Sequence, residues 1–282
     1  MPWKWLVCLL AAAALMVSVS CSGGTALPKP GTPAAYWYDA NGSYKAGDFL
    51  KTDENLQRIV VNDNDFTARA RVWDMVISGG LAQGYSELAN IYEDGARNNR
   101  ENPAPYRRRA NELRKLSGNM TLQLADSMHR LLEQPKEAEV SMAFTFPAGS
   151  TEKPQGLTRL GKALFVPENE QAQLLNEMLQ RGVVLALCDA AGNSGDAAKT
   201  QQLFQTPNVK VARDTFLFAS AKMLEAGSDV FGSKKLDLPN KLKITLQEAQ
   251  GALNAITPTK DSKALADKIQ KTLKKANLTG GA

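Results

Sequence analysis

The chain has 282 residues, 43% hydrophobic and 22% charged, and its 34 basic against 29 acidic residues leave a net charge of +5. That composition is too apolar for a disordered chain and too charged for a multi-span membrane protein, and the modest excess of base predicts no nucleic-acid partner. Three cysteines and one histidine cannot build a disulfide framework or the three or four nitrogen and sulfur ligands of a zinc or copper site, so no metal and no cofactor is expected.

The first stretch, "MPWKWLVCLLAAAALMVSVSC", has the three parts of an export signal: the positive charge of Lys4, the apolar run Leu6 to Val17, and small residues before Cys21. Trp5 to Val17 is 13 residues, short of the roughly 18 that a spanning helix needs. The arrangement resembles a bacterial lipoprotein signal, with Ser20 as the small residue before the cysteine. The resemblance implies a signal peptide over residues 1–20, lipidation of Cys21 and, through Ser22, an outer-membrane address facing the periplasm. Ordinary cleavage to a soluble periplasmic or secreted protein, and retention as an uncleaved anchor, are the alternatives. Residues 21–33 are rich in Gly, Pro, Ser and Thr, lack hydrophobic periodicity, and read as a flexible tether.

From residue 34 the apolar positions recur at helical spacing. Trp73, Ile77, Leu81, Tyr85, Leu88 and Tyr92 share one face of a long helix, with Asp65 expected as its N-cap and Gly95 as its stop. Gly79, Gly80 and Gly84 mark either a break or the close approach of another helix. Pro103 and Pro105 open the next helix, where Tyr106, Ala110, Leu113 and Leu116 line a second face, and Leu124, Met128, Leu131 and Leu132 form a third, ended by Pro135. Around "SMAFTF" the period changes to two, which predicts a short strand or extended insertion near 138–166, paired in a hairpin with "KALFV". Helical faces then return at Leu174, Met178 and Leu185, at Ala212, Phe216, Ala219 and Met223, at Leu242, Leu246, Ala249 and Leu253, and at Leu265, Ile269 and Leu273. The tail from Lys234 to Lys275 holds ten Lys and four acidic residues, and its last helix is basic and amphipathic. An all-α fold follows, with an N-terminal half over 34–134, the insertion over 135–166 and a C-terminal half over 167–276.

Two stretches resemble tetratricopeptide-type helical repeats. In the first, a helix bearing Tyr36 and Tyr44 runs into Gly47-Asp48-Phe49 and a helix with Leu56 and Ile59. In the second, "GYSELANIYEDGARNNRENPAPYRRRANELRK" has the helix, Tyr-x-x-Gly, loop, Tyr-x-x-x-Ala helix order of the related longer repeats. The resemblance implies antiparallel helix pairs in a tetratricopeptide-like α-solenoid, with a concave protein-binding surface and no chemistry. An irregular helical array is the other arrangement open to such helices.

Candidate chemistry is sparse. "VVLALCDAAGNSGDAAKT" imitates a strand and phosphate loop, but Ala198, where a Gly is required, precedes Lys199. A buried helix, a Gly turn and a helix starting near Asp196 are therefore expected. His129 has no nucleophile placed to use it, and Cys188 sits among apolar residues as a small hydrophobe. Arg107, Arg108 and Arg109 form a basic patch that suits an anion, although Glu112 can pair with Arg108. Tyr36, Trp37, Tyr44, Trp73, Tyr85 and Tyr92 are core residues first and groove contacts second, because their spacing is that of a buried face. The function expected is a lipid-anchored, non-enzymatic interaction scaffold with protein partners in the cell envelope. Alternatives are an envelope binding protein for an anionic solute or polymer and, last, a hydrolase whose carboxylates the sequence does not reveal.

Overall fold

The computed structural model describes residues 27–134, 137–147, 149–206 and 208–279. The export signal, Cys21 and the first half of the tether lie outside the described residues. Ten α-helices and one two-stranded sheet make up the described chain, an all-α fold with a short strand insertion.

Helix α1 (Pro33–Lys45) starts at Thr32, whose Oγ1 accepts from the Ala35 N–H at 3.3 Å. It stops at Gly47, which takes φ 74°, a left-handed value that glycine adopts without strain. Asp48 then caps α2 (Phe49–Val60), its Oδ1 accepting from the Lys51 N–H at 3.1 Å. The Gly-Asp-aromatic turn is thus a helix stop and a helix start in successive residues, with Phe49 buried against Tyr44.

Helix α3 (Thr67–Asn98) departs from expectation at both ends. Its N-cap position is Phe66, with no side-chain cap, rather than Asp65; the turn before it is held by Asn64 Oδ1, which accepts from Phe66 N–H, and by Thr67 Oγ1, which accepts from Asn64 N–H, each at 2.9 Å. Nor does the helix stop at Gly95. That glycine makes room for Tyr106 of α4 (Ala104–Leu132), since a Cβ there would lie 2.6 Å from the Tyr106 ring. Gly80 and Gly84 likewise mark a close crossing, not a break. Helix α6 (Glu168–Ala190) passes over α3 with Gly182 so near that its Cβ would sit 2.1 Å from the Gly80 carbonyl oxygen.

Strand β1 (Glu139–Met142) turns Val140 and Met142 into the core. It pairs antiparallel with β2 (Val209–Ala212), Glu139 opposite Ala212 and Met142 opposite Val209. The expected hairpin with "KALFV" does not form. Gly156–Gly161 is helical (α5), Ala163 turns the chain at φ 58°, and Leu164 and Phe165 point outward. The alternation of Val209 and Val211 gives β1 a better partner, because both bury one face.

Short α7 (Ala197–Leu203) is capped by Asp196, and α8 (Arg213–Ser228) leaves β2 directly. A 3₁₀ turn (Asp229–Phe231), α9 (Pro239–Asn254) and α10 (Lys260–Thr279) complete the chain. Most of the buried apolar residues form one continuous cluster from Ala40 to Ile269. Helix α3 is its axis, touching α2, α4, α5, α6, α8 and β1. In a solenoid each repeat touches only its neighbours. Here one long helix is wrapped by elements from both halves of the chain, so the helix pairs assemble as an irregular array. No helix of the described residues is long and apolar enough to cross a membrane.

Candidate functional site

The six aromatic residues expected to line packing or groove surfaces face mainly inward. Trp73 and Tyr44 are fully buried, Tyr85 and Tyr92 nearly so, and Tyr36 and Trp37 are half-buried. Phe144, from the extended insertion, inserts among them, 4.4 Å from the Trp73 ring centre, 4.7 Å from Tyr44 and 4.9 Å from Trp37. The Tyr44 hydroxyl donates to the Thr145 carbonyl at 3.0 Å, and burial pushes its pKa up. The Tyr92 hydroxyl donates to Gln171 Oε1 at 2.8 Å, tying α3 to α6. The cluster thus clamps the insertion onto α1 and α3, and it fixes where β1 lies.

The basic patch is partly neutralised. Glu112 takes both Arg108 Nε, at 3.4 Å, and Arg109 Nη1, at 3.1 Å, and these two guanidiniums hold its carboxyl below the usual range. Arg107 is exposed beside them. His129 lies between Glu133 at 3.5 Å and Glu248 at 3.3 Å, on the surface. Cys188 is fully buried in α6 and its thiol pKa is raised by burial, the opposite of what a reactive thiolate needs. The phosphate-loop imitation is helix from Val183 to Ala190, so no strand precedes the glycines.

The fold brings together one set of groups that the sequence reading missed. Asp53 of α2 and Asp74 of α3 share the side-chain amide of Gln123 from α4, which donates to Asp53 Oδ1 at 2.5 Å and to Asp74 Oδ1 at 2.8 Å. Gln57 Nε2 also donates to Asp74 Oδ1, and the Ser127 hydroxyl to Asp74 Oδ2. Asp74 is wholly buried and Asp53 nearly so. Burial, and then the charge of Asp74, raises the Asp53 pKa; burial likewise raises that of Asp74 against three hydrogen bonds that favour the carboxylate. Two carboxylates held together can serve as acid and base, but a substrate would have to reach them, and a fully buried Asp74 offers no approach. Their evident work is to join three helices. The signal available in sequence was the charge inside the apolar run "VWDMVIS".

The surface has several clefts. One, of about 620 Å³, lies between the end of α3 and α5. Two smaller ones, of about 340 and 310 Å³, meet at the Asp189–Lys222 ion pair between α6 and α8. Another, of about 630 Å³, opens between the first turn of α3 and β1. Asp63, Asp65, Glu137 and Glu139 line this last cleft, all exposed. The two arginines in its wall are already engaged. Arg69 lies over the Phe66 and Trp37 rings, at 4.6 and 5.4 Å, and donates to the Asp65 carbonyl. Arg213 donates to the Leu131 carbonyl at 2.9 Å.

Compared with known proteins, the chain matches no family model, no curated protein and no solved structure.

Proposed function

We propose that this chain is a lipid-anchored, non-enzymatic interaction scaffold of the bacterial cell envelope. Cys21 would carry the lipid, on the strength of the signal-like residues before it, and residues 21–33 would tether the helical body at the membrane. The observation that carries the interaction role is the open cleft between α3 and β1, with its four exposed carboxylates and its engaged arginines. The buried Asp53, Asp74 and Gln123 are spent on joining three helices, so the binding role is assigned to the surface. Partners would be envelope proteins.

The anchor is tested by fractionating cells and measuring the mass of the mature protein. Wild type should sit with the membranes and start at a lipidated Cys21, and Cys21→Ala should give a folded protein in the soluble fraction. A Cys21→Ala protein that stays on the membrane would contradict the anchor.

A further inference from the structure

The register of the sheet determines which backbone groups of β1 are free. In an antiparallel pair, opposed residues alternate between those that bond each other and those whose N–H and C=O point away from the partner strand. The Arg213 N–H donates to the Ala138 carbonyl at 2.9 Å, just beyond the strands. Counting from there through the pairs Val140 with Val211 and Met142 with Val209, the bonded residues of β1 are Val140 and Met142. The backbone groups of Glu139 and Ser141 therefore point to the outer edge. No described residue hydrogen-bonds to them. These two residues, with Ala143 just beyond the strand, line the acidic cleft.

An unpaired strand edge is a template for another strand. Native edges are blunted by shortness, charge, Pro, bulges or a covering element; this one is a four-residue strand carrying the charge of Glu139, but no Lys, Pro or bulge lies at Glu139 or Ser141. Instead it looks onto open space bounded on the far side by the start of α3. The charge of that space selects the occupant. Among the described lining residues four carboxylates, Asp63, Asp65, Glu137 and Glu139, face two guanidiniums, each already held by rings or carbonyls. Asp63, Asp65 and Glu137 form no ion pair with a described residue, and Glu139 forms one on the surface with Lys210, at 3.5 Å. A cation entering the cleft would gain partners without displacing buried ones.

From this juxtaposition we infer that the outer edge of β1 takes up an extended, lysine- or arginine-bearing peptide segment of a partner protein, which adds as a third strand. Backbone hydrogen bonds to Glu139 and Ser141 supply the affinity, and the carboxylates along the cleft select basic side chains at alternate positions. The inference rests on the scaffold reading and specifies what the scaffold holds.

The probe is a capped octapeptide of alternating Thr and Lys, titrated against the full-length chain in detergent by fluorescence anisotropy at low salt. It should bind, it should weaken as salt rises, and the alternating Thr and Glu peptide should not bind. Ser141→Pro removes one outward-facing N–H while leaving the β1–β2 bonds in place, because proline is tolerated where the N–H faces away from the ladder. It should weaken binding roughly tenfold or more. The same peptide methylated on alternate backbone nitrogens tests the edge without altering the protein, and one of its two methylation registers should bind no longer. Asp63→Lys combined with Asp65→Lys should abolish the preference for Lys over Glu. Binding that ignores both Ser141→Pro and backbone methylation would overturn strand addition. A chain that self-associates in solution, and loses that on Ser141→Pro, would put a second copy on the edge and overturn the peptide assignment. A chain that ignores the peptide yet still binds an envelope protein would refute this inference and leave the scaffold standing.

Discussion

Between α1 and α4 the interior adds a cluster of touching rings and two buried carboxylates to its aliphatic residues, whereas between α8 and α10 Phe216 and Phe231 are buried singly among aliphatic and small side chains, and no described carboxylate is buried there. In the first region Trp73, Tyr44, Phe49 and Phe144 pack at set angles, and Asp53 and Asp74 share one amide donor. In the second, Leu217, Leu224, Leu246, Ala249 and Ile269 are buried with few polar ties, and lysines cover the outside. The difference shows where the protein spends specificity. Rings and buried carboxylates need particular partners in particular places, so the first region fixes the position of the insertion and its strand. Aliphatic contact is tolerant of small rearrangement, and the second region serves as a cover for α4 and α8.

Substitutions can break this contrast, and Trp73→Ala should do so most strongly. It removes a fully buried ring at the centre of the aromatic cluster and should cost about 3–5 kcal/mol in chemical denaturation. Gly182→Ala comes next. The new methyl would meet the Gly80 carbonyl oxygen, and since both groups belong to helix backbones neither can swing aside. Separation of α6 from α3 should cost about 1–3 kcal/mol, visible as a lower thermal midpoint.

The carboxylate pair makes a signed prediction. Burial holds the Asp53 and Asp74 carboxyls above their ordinary pKa, so the folded state keeps protons that the unfolded chain releases. Stability is then greatest on the acid side and is lost as pH rises from the ordinary carboxylate value, about 4, through the raised values. Asp53→Asn keeps an oxygen for the Gln123 amide but has no proton to lose. It should stabilise the protein at pH 8 by about 1–2 kcal/mol, on the order of one pKa unit of relief, and flatten the slope of stability against pH. A slope unchanged by Asp53→Asn would remove the pair from the account. In the aliphatic region, Ile269→Val should cost only about 0.5–1.5 kcal/mol, the usual range for deleting one buried methyl group.

The helices were largely legible from sequence because each has to bury one face, and that need is written at a spacing of three and four, as from Trp73 to Tyr92. The Gly47-Asp48-Phe49 turn was legible because left-handed backbone and a side-chain cap each demand a residue type. What could not be read was pairing at a distance. The strand at Glu139 signalled period two, but its partner could be chosen only by the fold, which buries Val209 and Val211 and leaves Phe165 out. Gln123 carries no mark in sequence that it will bridge two carboxylates from two other helices. The N-cap of α3 falls at Phe66, one residue past Asp65, with no side-chain acceptor; Asn64 instead holds the preceding turn, and only the path of that turn decides which polar side chain is used. The glycines at 80 and 84 signalled something special, and Gly182 on the opposing helix says what it is.

The central claim is that the acidic cleft beside β1 is the working surface and that the basic C-terminal helix is cover. It is tested most directly by placing a photo-crosslinking residue at Asp65 in the cleft, and separately at Lys263 on α10, in cells that express the full-length chain. A discrete adduct with a second polypeptide should form from position 65, reduced by Ser141→Pro, and none from position 263. No adduct from position 65, or equal adducts from both positions, would contradict the claim.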